Sequence, residues 1–90
     1  MRLGVRNMTV TIRKLENRDH EYFAYTKSLC GKATYFVHFY DDVWGAIILH
    51  NFIDMLQSFF QPSKVTVMLD EKNLTLKNDA LLEILKDVSL

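Results

Sequence analysis

The sequence predicts an α+β domain, an antiparallel sheet with helices in the order βββαββα. Three observations carry that expectation. The first 40 residues contain three segments rich in β-branched and aromatic residues, separated by short polar or glycine-containing turns. A long apolar run, Val43 to Phe60, follows two aspartates and ends just before Pro62. Near the end of the chain, Leu81, Ile84, Leu85 and Val88 fall at the i, i+3, i+4, i+7 spacing of one helical stripe.

The first strand is expected over Met8–Leu15, where Met8, Val10 and Ile12 alternate with Thr9, Thr11 and Arg13. Glu16 to His20 reads as a polar turn, and Glu21 to Ser28 as the second strand. Cys30-Gly31-Lys32 is a turn whose glycine tolerates positive φ, and Ala33 to Tyr40 is the third strand. Strands joined so closely form an antiparallel meander. Asp41 and Asp42 are placed to cap a helix from Val43 to about Phe60, stopped by Pro62. Lys64 to Leu69 is a fourth strand. Asp70 to Asn73 is a turn, and Leu74-Thr75-Leu76 is expected to pair back as a short fifth strand. Asn78 or Asp79 then caps a final helix through Val88.

Ninety residues make one domain, 1–90, and 49% apolar residues suit a globular protein. Residues 1–7 have two readings, a native segment or an extension ahead of a true start at Met8. On the second reading, Gly4-Val5-Arg6 back-translates to a purine-rich run of the kind that precedes a bacterial start codon, which implies a bacterial or phage gene. The single cysteine, Cys30, excludes an intrachain disulfide. Arg2, Arg6 and Asn7 interrupt any signal-peptide core. The apolar run at 43–60 carries His50, Asn51, Asp54 and Gln57, unlike a membrane span. A cytoplasmic protein with no membrane partner is expected.

The net charge of zero conceals a split. Residues 1–40 carry seven Lys/Arg against three acids, and residues 41–90 carry four lysines against eight acids. Such asymmetry marks a surface that meets a partner. Apolar character is also in excess. On a helical wheel, Trp44, Ile48, Met55, Phe59 and their neighbours sweep an arc of roughly 180°, wider than the ~100° stripe one sheet contact needs. Either the final helix covers the surplus or part of it is an interface. Strand three is apolar on both faces, Tyr35, Val37 and Phe39 on one and Phe36, His38 and Tyr40 on the other. The second set is expected to face away from the long helix. It is there either capped permanently by the final helix or a second subunit, or used as a contact. The candidate partner-binding residues are therefore Arg13, Arg18, Tyr25, Phe36, His38, Tyr40 and Trp44.

No reaction is legible. Cys30 has no spacing that pairs it with His20 or His38 as nucleophile and base. The three histidines lack metal-ligand spacing, and three glycines form no phosphate loop. His50 and Asp54 can pair on one helical face as an exposed pair worth a few tenths of a kcal/mol. No catalytic residue, metal or cofactor is expected. The expectation is a non-enzymatic protein that binds and modulates a partner protein, in the manner of phage-encoded anti-defence inhibitors or immunity and antitoxin proteins. A homodimer is a further expectation. The alternative is a single-stranded nucleic-acid module, in which aromatic strands stack bases and Arg13, Lys14, Arg18, Lys27 and Lys32 hold phosphates. The neutral overall charge weighs against it.

Overall fold

The structure, a computed structural model, describes residues 7–16, 20–27, 33–69 and 77–89, with side chains in the last helix described through Leu85. Four strands and two helices follow in the order β1 (Asn7–Lys14), β2 (Glu21–Lys27), β3 (Thr34–Tyr40), α1 (Val43–Phe60), β4 (Lys64–Leu69) and α2 (Asp79–Ser89). The α+β class and the order of these elements agree with the sequence reading. The expected fifth strand at Leu74-Thr75-Leu76 and its turn lie outside the described residues. So do Arg18 and the Cys30-Gly31-Lys32 turn.

The sheet runs β3-β2-β1-β4. β1 pairs antiparallel with β2, and β2 with β3, as a meander requires. β4 instead lies parallel to β1, from Asn7 opposite Lys64 to Ile12 opposite Leu69. The sheet is thus mixed, which corrects the expectation of an antiparallel one. The reason is geometric. α1, 18 residues long, rises about 27 Å, and the seven-residue β3 spans about 24 Å. The helix therefore returns the chain to the end where β3 began. The next strand repeats the direction of β3 and so of β1.

Both helices contribute to one core on one face of the sheet. Met8, Val10 and Ile12 of β1, Tyr22 and Ala24 of β2, Phe39 of β3, and Val65 and Val67 of β4 point into it. α1 supplies Ala46, Leu49, Phe52, Ile53 and Leu56, and α2 supplies Leu81 and Leu85. Fully buried aliphatic side chains such as Ile12, Leu49, Leu56 and Leu81 each contribute roughly 1.5–3 kcal/mol. α1 packs against β3, and α2 packs against α1 and β4. By length and composition α1 is apolar enough to cross a membrane, and one side of it is embedded in this core.

The helix ends divide the work of the two aspartates. Asp42 caps α1, accepting from the Gly45 N–H at 2.7 Å. Asp41 instead accepts from the N–H groups of Lys77 and Asn78, both at 3.0 Å, and so ties the start of α1 to the approach to α2. Asn78 in turn caps α2 through the Ala80 and Leu81 N–H groups. α1 closes on Gln61, which adopts the left-handed conformation (φ 48°, ψ 52°) and donates to the Gln57 carbonyl. Pro62 follows and cannot continue the ladder.

Candidate functional site: the uncovered sheet face and the β3 edge

The alternation of each strand sends every second side chain to the face opposite the helices. Register then decides which of them meet. Arg13 lies opposite Phe23, and Phe23 opposite His38. One step along, Met68, Thr11, Tyr25 and Phe36 form a row across all four strands. Phe23 and Tyr25 stack at 5.7 Å between ring centroids with their planes 26° apart. A hollow of about 440 Å³ is lined by Arg13, Leu15, Phe23, Tyr25, Thr34, Phe36 and His38. No described helix covers this face.

His38 is held in place on two sides. Its Nε2 lies 3.2 Å from Glu21 Oε1. Its ring meets Tyr40 edge-on at 5.1 Å. Phe36, within β3, is 70% exposed.

A second apolar surface borders the first across β3. On α1, Trp44, Ile48, Met55 and Phe59 form a stripe beside the buried face, with Trp44 70% and Phe59 74% exposed. α2 packs elsewhere on α1 and leaves this stripe open. Of the two readings of the wide apolar arc, cover by the final helix does not hold for these four residues. Between the stripe and β3 runs a groove of about 610 Å³, lined by Tyr35, Phe36, Val37, Ile48, Phe52 and Met55 among others. A third hollow, of about 420 Å³, is more polar and brings His50, Asp54 and Lys64 together between α1 and β4.

The structure thus groups four of the predicted contact residues, Arg13, Tyr25, Phe36 and His38, around one hollow, with Tyr40 against His38. Phe36, His38 and Tyr40 do face away from α1. Trp44 belongs to the other surface, on the far side of the β3 edge. Arg18 lies outside the described residues. Leu15, Phe23 and Thr34, absent from the sequence-based set, complete the hollow. Phe23 alternates with Tyr22 in the strand pattern, and only the β1–β2 and β2–β3 registers together reveal that it sits between Arg13 and His38. Among the described residues no group of three or more His, Cys, Asp or Glu side chains is placed to hold a metal ion. No protein-family model, curated protein or solved structure matches the chain.

Proposed function

We propose that the protein is a binding module that docks the uncovered aromatic face of its sheet onto another protein and modulates it stoichiometrically. The observation that carries this reading is the pair of cross-strand rows, Arg13–Phe23–His38 and Met68–Thr11–Tyr25–Phe36, left open while both helices occupy the other face. Aromatic side chains with Arg at the margin are the composition of an interface core. Such rings lose little conformational freedom on docking, and a few of them carry most of the affinity. Small inhibitors of the phage anti-defence, immunity or antitoxin kind work in this stoichiometric way, an analogy of size and surface. The reading requires no catalytic group.

Arg13 beside two stacked rings also favours a second reading, single-stranded nucleic acid held by stacking and phosphate contacts. One experiment separates them. Immobilised protein is used to capture ligands from extracts of the source cells, with Phe23→Ala/Tyr25→Ala and Trp44→Ala variants alongside. The expected result is one protein captured in stoichiometric amount, stable to salt, lost with the Phe23/Tyr25 variant and kept with Trp44→Ala. Captured nucleic acid whose affinity falls steeply with salt supports the second reading. A protein partner still bound by the Phe23/Tyr25 variant rules out this face.

A further inference from the structure

The β3 edge and the α1 stripe share a symmetry that neither needs for folding. Asp41 N–H donates to the His20 carbonyl at 3.0 Å. Hydrogen-bonded pairs alternate along an antiparallel ladder. The odd-numbered residues of β3 therefore direct their N–H and C=O groups to β2, and Thr34, Phe36, His38 and Tyr40 direct theirs outward. The Tyr40 carbonyl is already taken by the Asp42 N–H at 2.9 Å. That leaves Thr34, Phe36 and His38, a set centred on Phe36. No described strand lies beyond β3.

The α1 stripe has a centre too. Trp44 and Phe59 are equidistant from the point between Asn51 and Phe52, and so are Ile48 and Met55. That point is level with Phe36, because Asn51, Phe52 and Phe36 line the same groove. A two-fold axis normal to the sheet through Phe36 therefore passes the midpoint of the stripe as well.

The geometry points to a homodimer in which β3 pairs antiparallel with β3 of a second copy about Phe36. The two α1 helices then pack side by side, Trp44 against the partner's Phe59 and Ile48 against the partner's Met55. A two-fold interface needs a self-complementary patch, and this one is. Thr34 meets the partner's His38, and Phe36 meets its own symmetry mate. The pairing closes six backbone groups per chain and extends the sheet across both subunits, with the open aromatic faces continuous.

Area and edge chemistry agree with this occupant. Phe36, Trp44 and Phe59 are each at least 70% exposed, and aromatic side chains bury about 150–250 Å² each. With Ile48 and Met55 the apolar patch reaches roughly 600 Å², at the upper end of what a monomer leaves open. The backbone edge brings it near the ~800 Å² per partner of a stable complex. β3, TYFVHFY, has no Lys, Pro or bulge to discourage pairing, the devices by which edges that stay single are protected.

The test is light scattering with size exclusion on the full chain and an Ile48→Glu/Met55→Glu variant, together with a crosslinking series in a Cys30→Ser background. Both substituted helix residues are exposed, so circular dichroism should be unchanged. Wild type is expected as a dimer and the double variant as a monomer. In the crosslinking series, Phe36→Cys places two thiols in a hydrogen-bonded pair with Cα atoms about 5.5 Å apart, inside the ~4.4–6.8 Å disulfide range. It should oxidise to a covalent dimer, while Met68→Cys on β4, the described strand farthest from β3, should not. A wild type that is monomeric at every concentration overturns the proposal. So does a dimer that survives the double substitution, or one in which the thiol at position 36 fails to crosslink or position 68 crosslinks as readily. If the double variant unfolds, the crosslinking pattern alone decides.

Discussion

Gly45, in the first turn of α1, rests directly on the backbone of Tyr40: a Cβ at position 45 would lie 1.7 Å from the Tyr40 carbonyl oxygen. No flexible side chain can yield there, because the obstacle is backbone. The N–H of Gly45 also donates to the Asp42 cap. Gly45→Ala forces α1 away from the end of β3 and should destabilise the protein by about 3 kcal/mol, read from urea unfolding. A loss under ~1 kcal/mol would show that the connection can shift freely.

Asp41 makes a connection of a different kind. Its carboxylate accepts two N–H groups, from Lys77 and Asn78, and so fixes where the chain enters α2. Asp41→Ala should cost about 1.5–3 kcal/mol, the range for hydrogen bonds to a charged group. Amide exchange should rise first in α2, whose Leu81 and Leu85 depend on that placement. Uniform exchange across α1 and α2 would mean that the carboxylate does not act locally.

Tyr22 is fully buried and stacks on Phe39 at 5.9 Å. Its hydroxyl has no hydrogen-bond partner among the described residues. The ring is the useful part, and the hydroxyl carries an unrepaid desolvation penalty. Tyr22→Phe is therefore expected to raise stability by about 1 kcal/mol. A clear drop in melting temperature would reveal a partner for the hydroxyl.

Gln61 holds a left-handed conformation that a side chain disfavours by about 1–2 kcal/mol. Glycine removes that strain at some entropic cost. Gln61→Gly should thus stabilise the fold by roughly 0.5–1 kcal/mol, visible as a higher urea midpoint with an unchanged slope. No gain would indicate that the Gln61 side chain contributes contacts of its own.

Local pattern made most of the architecture legible. Met8, Val10 and Ile12 alternate with Thr9 and Thr11, and they do face the core. The start of α1 after Asp42 and its end at Phe60 follow from capping and proline chemistry. Strand direction was less accessible. KVTVML does not itself say whether it lies parallel or antiparallel to β1, and the length of α1 decides that. β3 is apolar on both sides, so its period could suggest but not assign the face taken by the helix. The aromatic cluster was visible as composition. Its membership depended on register, which brings Phe23 between Arg13 and His38 and leaves Trp44 on the far side of an edge that no periodicity describes.

The parallel pairing of β1 with β4 has a consequence for synthesis. β1 is an inner strand, yet one of its two neighbours is encoded more than half the chain later. At roughly 5–20 residues per second on the ribosome, Met8, Val10 and Ile12 wait several seconds for Val65 and Val67. Until then the nascent meander exposes a second bare flank on β1 besides the one on β3. Slowing translation at any point before β4 clears the ribosome prolongs that exposure and should therefore lower the soluble yield.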